Sequence, residues 1–299
     1  MLDLKDLQCL TALARHRHFA RAANECGVSQ PAFSMRIRKI EERLGTPIVK
    51  RGNRFQGFTH EGEAVVRHAR RITDDVKQLE NEIRSARGEV SGALTLGVIP
   101  TAAGYASLLT IELGKKHPDI RVRCETATSL AVQQGIEEGR FDAGITYTEG
   151  ASPDLMRVDT LYDEGYALLI PDALAPRSTG EITWAKAAEL PLCLLEPAMQ
   201  NRRIIDQTFA QVGETPQVVA ETSGFIQAIV MATEGHAASV VPTVLVGSFG
   251  GLPGTVALPL VDPVVEKSVC LVTPHRNPGL PAVEALRSVA LDFDKQGLS

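Results

Sequence analysis

Apolar residues near the N-terminus recur every three or four positions, a spacing typical of amphipathic helices. The first helix is predicted to run to about Arg17, with a stripe of leucines that begins at Leu4. A second, short helix is predicted over 19–27, where Gly27 suits the turn that ends it. A third begins after Ser29, a preferred N-cap residue. Its apolar face consists of Phe33, Ile37, Ile40 and Leu44. This order of helices is typical of a helix-turn-helix, whose second helix enters the major groove of DNA.

The pattern changes after Gly45, where two short β-like runs flank a Gly-Asn turn signal over 47–58. A basic hairpin attached to a helix-turn-helix is a wing. Lys50, Arg51 and Arg54 are placed in it to contact phosphates. A simple helical pair with a solvated basic face is the alternative for residues 1–45 alone, and the wing argues against it.

A long helix is predicted from Thr59, its expected N-cap residue. Its apolar positions alternate steps of three and four, which is the narrow seam of a coiled coil. We therefore expect homodimerisation through 59–86, and the alternative is a linker helix packed on its own domain. The seam consists of Gly62, Val65, Ala69, Ile72, Val76, Leu79, Ile83 and Ala86.

Beyond a polar, Gly-interrupted hinge at 87–92, predicted strands and helices alternate, which favours parallel α/β units with helices on both faces. Strands are expected at 93–99, 120–125, 143–147, 165–170, 192–195, 218–220, 238–241 and 268–273, and helices at 103–116, 129–138, 203–212, 225–233 and 282–295. The predicted domains are a DNA-binding domain at 1–58, a linker helix at 59–88 and an α/β domain at 91–299. Two lobes are expected within the α/β domain, one over 91–162 and 267–299 and the other over 163–266.

The net charge of -5 conceals an asymmetry along the chain. Residues 1–90 carry 17 Lys and Arg against 12 Asp and Glu, whereas residues 91–299 carry 14 against 24. A basic head on an acidic body indicates that the head meets a polyanion. Neither a secretory signal nor a membrane-spanning run occurs, so we expect a cytoplasmic protein. The five cysteines include no C-x-x-C pair, so we expect no disulfide framework, metal site or cofactor.

Two sets of residues point to a known family. The head contains the set Phe19, Ala22, Ala23, Ser29, Gln30, Pro31, Ala32, Ser34, Ile37, Ile40, Glu41, Leu44, Gly45, Arg51, Thr59, Gly62 and Glu63. The body contains the run Gly139-Arg140-Phe141-Asp142 and a Gly-rich turn over 235–242. With these residues the sequence resembles the LysR-type transcriptional regulators along essentially its whole length: the first set is similar to the family's signature, the run to a strand entry and the turn to its late Gly-rich turn. His18 departs from the family pattern, which has a serine cap there, and Val49 replaces a common phenylalanine.

The resemblance implies a winged helix-turn-helix, a linker-helix dimer, a two-lobed effector domain like periplasmic binding proteins, and commonly a homotetramer. Double-stranded DNA with paired half-sites is the implied partner, and contact with RNA polymerase is a further one. Gln30, Ser34 and Arg38 can read base edges through amide, hydroxyl and guanidinium groups. Pro31 begins the same helix. Arg36, Lys39, Arg51 and Arg54 are expected to meet phosphate.

Three segments at strand ends are expected to converge on an effector cleft. They are residues 100–102, 128–129 and 200–202. Hydroxyls and helix N-termini in these segments favour a small anion as the ligand. By resemblance the effector-binding positions are Thr101, Thr128, Ser129, Asn201, Arg202 and Phe225. Each Ser or Thr alone fits a helix cap equally well, so the prediction depends on their joint placement. The run 192–203 resembles family members linked to formate dehydrogenase operons, which suggests formate-related metabolism.

The competing interpretation is a soluble binding protein or enzyme whose helical head serves only assembly. Catalytic motifs give it little support. Ser248 is one position away from a G-x-S-x-G elbow, and His60 begins no H-E-x-x-H motif. Cys193 invites a redox interpretation, but it lies in an apolar run without a partner cysteine nearby, which favours a buried, inert thiol. We therefore expect no enzymatic activity.

Overall fold

The computed structural model describes residues 2–50, 55–85, 91–176, 180–275 and 279–293. The chain forms two compact units. The first consists of Met1–Val90 with Glu138–Arg140, and the second of Ser91–Glu137 with Phe141–Ser299.

The described residues of the first unit form four helices: α1 (Leu4–His16), α2 (Phe19–Glu25), α3 (Gln30–Leu44) and α4 (His60–Ser85). Their starts follow the expected capping chemistry. The Ser29 hydroxyl accepts a hydrogen bond from the amide of Ala32 at 3.4 Å, and the Thr59 hydroxyl accepts one from Gly62 at 2.9 Å. His18 makes no side-chain cap for α2, in agreement with the loss of the serine there. The predicted helix order is therefore confirmed.

Apolar and aromatic side chains hold these helices around one core. The rings of Phe19 and Phe33 meet edge to face at 6.1 Å, and Phe55 and Phe58 do so at 5.1 Å. Val49 and Phe58 form an antiparallel bridge, which closes the base of the predicted hairpin. Arg51 and Arg54, at its expected tip, lie outside the described residues.

The predicted seam of α4 divides into two parts. Val65 and Ala69 pack into the core of their own unit. The alternative of a linker helix packed on its own domain expected this packing for the whole seam. Farther along, Ile72 is 46% exposed and Leu79 is 60% exposed. The last two seam positions, Ile83 and Ala86, lie outside the residues whose side chains the structure describes.

The second unit is built from two lobes that share one long strand. The elements in chain order are β1 (Gly92–Val98), α5 (Ala103–Lys116), β2 (Ile120–Thr126), α6 (Ser129–Glu137), β3 (Ala143–Tyr147), β4 (Met156–Pro171), β5 (Ile182–Thr183), α7 (Trp184–Ala188), β6 (Pro191–Leu195), α8 (Gln200–Gln211), β7 (Gln217–Thr222), α9 (Phe225–Thr233), β8 (Ser239–Pro242), α10 (Thr243–Phe249), β9 (Thr255–Val261), β10 (Glu266–Pro274) and α11 (Pro281–Asp292). Strand β4 is the shared one: it pairs with β10 along its first part and with β8 and β9 along its second part. Strands of the first lobe follow the order β2-β1-β3-β10-β4, and in the second lobe β9 pairs with β5 while β6 pairs with β7.

Several of these elements differ from the sequence prediction. Only the second part of β4 was predicted, because polar residues such as Asp159 and Asp163 interrupt the apolar pattern of its first part. Helices α7 and α10 and strands β5 and β9 were missed. Helix α8 begins three residues before the predicted start, since Met199 precedes it without a side-chain cap that the sequence could reveal.

Candidate functional site

The start of α3 presents a polar face to solvent. Gln30, Ser34 and Arg38 follow one another at a spacing of four, which places them on one side of the helix. Gln30 and Arg38 are exposed and Ser34 is partly buried. Pro31 and Lys39 are also exposed beside them. The opposite side of α3 is buried in the core, so these groups form the accessible side of a rigidly packed helix.

Arg36 on the same helix is engaged within the protein. Its Nε donates to Asp6 Oδ1 at 2.7 Å, and its Nη2 donates to Asp3 Oδ1 at 3.0 Å. Asp6 is almost fully buried and also accepts from Arg43 at 2.8 Å. The hydrogen bond to Asp6 raises the pKa of the Arg36 guanidinium. These ion pairs hold α3 against α1, which favours a bracing role for Arg36 over the phosphate contact expected from the sequence.

Replacing Arg36 by Ala is accordingly expected to lower the free energy of unfolding of the head by about 1 to 3 kcal/mol, the range for hydrogen bonds to charged groups. The salt dependence of DNA binding is expected to stay unchanged. Lys39→Ala is the matched control. It should leave stability unchanged and reduce the slope of log affinity against log salt by about one per head. Urea unfolding and DNA titrations at several salt concentrations measure both, and a reduced salt slope for Arg36→Ala contradicts the bracing role.

A narrow cavity in the second unit lies between the two lobes. From the first lobe it is lined by residues that follow β1, by the start of α6 and by the end of β3, and from the second lobe by the start of α8. It has about 10 Å³ of space for the centre of a water-sized molecule, close to the minimum that holds one water. The lining residues are Ile99, Pro100, Thr101, Thr128, Ser129, Tyr147, Met199, Gln200 and Asn201.

Polar groups in this cavity are buried without being satisfied. Ser129 Oγ and both polar atoms of the Asn201 amide have no hydrogen-bond partner among the described residues. Thr128 Oγ1 accepts from the amide of Ala131 at 3.2 Å and so caps α6. Buried polar atoms without partners are costly, since each forfeits its hydrogen bonds to water. The arrangement is suited to a bound molecule that supplies those bonds.

The structure brings four of the six predicted effector positions to the cavity, namely Thr101, Thr128, Ser129 and Asn201. Arg202 does not line it, because its guanidinium donates to Asp206 at 2.8 Å, to the carbonyl of Leu195 at 2.8 Å and to Glu221 at 2.8 Å.

Phe225 does not line the cavity either. Its side chain packs in a core cluster with Ile229 and Leu245. Sequence reasoning missed Tyr147 and Met199. Tyr147 is the last residue of β3, and the rule that ligands bind beyond the carboxyl ends of strands identifies that position.

A buried carboxyl group lies behind the cavity. Glu164 is fully buried on β4, and Tyr147 donates a hydrogen bond to its Oε1 at 2.6 Å. Burial raises the pKa of Glu164 to about 7. Hydrogen bonds from Tyr147, Thr101 and Tyr166 act in the opposite direction and lower the pKa. Burial also raises the pKa of Tyr166, and that of Tyr147 well above its usual value. The cluster therefore combines one titrating carboxyl group with neutral hydroxyls.

The described residues offer neither a metal site nor a membrane-spanning helix. They contain no cluster of three or more His, Cys, Asp or Glu side chains fit to hold a metal ion. None of the helices, within the same described ranges, has the length and apolar character needed to cross a membrane. The cysteines are free, and burial raises the pKa of the Cys193 thiol on β6. None of the cavity-lining residues is a cysteine.

Comparisons with known proteins match both units. Residues 4–63 match the family model of the bacterial regulatory helix-turn-helix protein, lysR family, and residues 87–294 match that of the LysR substrate binding domain. The hydrogen peroxide-inducible genes activator of Haemophilus influenzae is 28% identical over 291 residues, covering 92% of this chain and 93% of the relative.

Two solved structures share the fold over nearly the full length. A full-length OxyR variant from Pseudomonas aeruginosa has a TM-score of 0.74 at 24% identity, covering 97% of this chain and 98% of the other. Full-length CbnR in complex with its target DNA has a TM-score of 0.69 at 19% identity, with 97% and 99% covered. The predicted fold class, a helix-turn-helix head followed by a two-lobed α/β domain, is confirmed.

Proposed function

The chain belongs to the LysR family of transcriptional regulators, and from that premise we propose that a small anion is the effector bound in the cavity between its lobes. The observation that carries this proposal is the arrangement of helix starts. Helix α6 begins at Ser129 and α8 at Gln200, and both residues line the cavity from opposite lobes. Helix N-termini carry partial positive charge and free N–H groups, which favour an anion.

The unsatisfied polar atoms favour a small ligand with several acceptor atoms. Asn201 Nδ2 and Ser129 Oγ are able to donate hydrogen bonds to it. None of the lining residues has a charged side chain, so helix ends and neutral donors bind the anion. A carboxylate of a few heavy atoms matches this chemistry. Formate is the smallest such group and needs the least widening of a cavity that has room for about one water molecule.

DNA binding is assigned to the accessible side of α3. Gln30, Ser34 and Arg38 read base edges in the major groove, while Lys39 contacts phosphate. Arg51 and Arg54 belong to the same proposal as phosphate ligands of the wing, on the strength of the sequence alone. The exposed Ile72 and Leu79 on α4 support pairing of two chains through 59–86. A dimer of this kind reads paired half-sites, and two dimers form the expected homotetramer.

Ligand binding is coupled to DNA binding through the arrangement of the lobes. An anion that touches α6 of one lobe and α8 of the other stabilises the arrangement in which both helix starts face the cavity. Such a ligand shifts the population of lobe arrangements by its differential affinity for them. The resulting change in the spacing of the heads alters contact with DNA and with RNA polymerase, inside the cytoplasm where the DNA lies.

We propose reversible binding as the chemical basis of this control, although several relatives are named as hydrogen peroxide-inducible activators. Thiol oxidation needs a reactive thiolate within reach of the oxidant. In this chain the cavity lining contains Met199 but no cysteine, and the Cys193 thiol is buried with a raised pKa. The lining also contains no histidine or lysine side chain, and this supports a binding role.

The Thr101→Val substitution tests the cavity. Thr101 is 1% exposed, and valine keeps its shape while removing the hydroxyl. We expect formate to change the affinity of the wild-type chain for its own upstream DNA by about fivefold or more, the usual lower range of coupling. In Thr101→Val that change should disappear while DNA affinity in chloride is retained.

Fluorescence anisotropy in sodium formate and sodium chloride at equal ionic strength measures both quantities. Thr110→Val on α5 is the matched control. The Thr110 hydroxyl donates to the carbonyl of Ala106 in its own helix and lies 4.0 Å from the sulfur of Cys124. A formate response that survives in Thr101→Val removes this residue from the site.

A further inference from the structure

Glu164 lies where the shared strand passes from one lobe to the other. Its neighbour Gly165 is the last residue of β4 that pairs with β10, and Tyr166 is the first that pairs with β8. The side chain is fully buried, and Oε2 has no hydrogen-bond partner among the described residues. Within the described part of the chain, the Glu164 carboxyl group has no partner of opposite charge, so its burial calls for another explanation.

The hydroxyls beside Glu164 also line the cavity. Tyr147 donates to Glu164 Oε1 at 2.6 Å and lies 3.3 Å from Thr101 Oγ1, and both residues line the cavity. A hydroxyl has one proton to donate. When the carboxyl group is ionised, these protons are directed to it and the hydroxyls turn their lone pairs to the cavity. When it is protonated, the hydroxyls are free to donate into the cavity.

We propose that Glu164 couples effector binding to proton uptake, so that the cavity takes up an anion together with one proton on this carboxyl group. An ionised Glu164 repels an anion in the buried cavity. It also turns the oxygen lone pairs of Tyr147 and Thr101 toward that anion. A neutral Glu164 removes the repulsion and makes Tyr147 and Thr101 donors. This inference rests on the proposed anion site and specifies how pH regulates it.

The surroundings of Glu164 allow such a titration. The groups that face it are Tyr147 from β3, Thr101 from the turn after β1, and Tyr162 and Tyr166 from β4. Lys267 of β10 lies opposite it in strand register, but its ammonium group binds Glu149 at 2.5 Å. Neutral hydroxyls therefore surround the carboxyl group, and its pKa of about 7 places the change of charge near neutral pH.

The sign of the pH dependence follows from linkage. Below pH 7 the carboxyl group is already neutral, and binding needs no further proton. Above pH 7 each binding event must first protonate Glu164, so formate affinity falls about tenfold per pH unit. Formate itself stays ionised throughout this range, so its own titration adds no pH dependence to the affinity.

The experiment titrates the full-length chain with sodium formate at pH 6 to 9, at constant ionic strength in chloride, and follows binding by calorimetry. We expect constant affinity up to about pH 7 and a tenfold loss per unit above it. In Glu164→Gln, which is permanently neutral, affinity should be the same at every pH. Asp163→Asn is the matched control, because this neighbouring carboxylate binds Ser268 instead of facing the cavity, and it should retain the wild-type slope.

Wild-type calorimetry in two buffers of different ionisation enthalpy makes the result independent of whether Glu164→Gln folds. It should show close to one proton taken up per formate at pH 8.5 and almost none at pH 6. Formate binding without proton uptake at pH 8.5 overturns the role of Glu164 but leaves the anion site standing. Absence of formate binding at every pH overturns the anion site and this inference together.

Discussion

Replacing Arg38 by Ala is expected to cost the protein most of its specific DNA affinity. Arg38 is exposed on the same side of α3 as Gln30, where a guanidinium group can bind a guanine edge through two hydrogen bonds. One such contact contributes about 1 to 3 kcal/mol. Since a dimer carries the change in both heads, the loss of binding free energy for DNA amounts to roughly 2 to 6 kcal/mol. Anisotropy titrations of upstream DNA, with a scrambled duplex for comparison, measure it.

The control for Arg38→Ala is Arg71→Ala. Arg71 is an exposed cation on α4, a different helix from α3, and it is not a position of the predicted dimer seam. Its replacement removes the same charge and should change specific affinity little. Equal losses for the two variants would mean that net charge, and not a base contact by α3, controls binding.

The Gly62→Ala substitution is expected to destabilise the head by about 3 kcal/mol or more, beyond the usual cost of overpacking. A Cβ atom at this position would lie only 2.1 Å from the carbonyl oxygen of Ile48. That oxygen is backbone, and it accepts a hydrogen bond from the amide of Thr59 at 2.8 Å. Relief of the clash must therefore separate α4 from the base of the hairpin. Urea unfolding of the head and loss of DNA binding report the effect.

Gly114→Ala gives the matched comparison for the same change of residue. Gly114 lies inside α5. Apart from its chain neighbours and the backbone of its own helix, no described atom lies within 4 Å of the place that an added Cβ would take. Alanine there should stabilise the second unit by up to about 1 kcal/mol, because it is the better helix former. Comparable stability of Gly62→Ala and wild type would contradict the close approach of α4 to Ile48.

The head was predictable from the sequence because its signals are local. Ser29 and Thr59 cap their helices as expected, and the spacing of Phe33, Ile37 and Ile40 specifies the buried side of α3. Arg36 was not predictable in the same way. Its engagement with Asp6 depends on a contact across 30 positions of sequence, which no periodicity encodes.

The cavity was predictable in part for a related reason. Thr128 and Ser129 stand at a helix start that the sequence marks clearly. Arg202 was expected in the cavity by resemblance to the family. Its guanidinium instead pairs with Asp206 and Glu221, and no local pattern of the sequence shows the contact with Glu221. Glu164 gave no signal at all, because its burial results from a strand whose first part reads as polar.

Anion-controlled DNA binding is tested most directly by the DNA affinity of the chain as a function of salt, measured in chloride and in formate at equal ionic strength. We expect a steep fall in affinity with salt, as cationic groups of the head release counterions from DNA. We also expect the curves in the two salts to be displaced by about fivefold or more. A salt-independent affinity would contradict DNA binding by the basic head, and superimposable curves would contradict its control by an anion in the cavity.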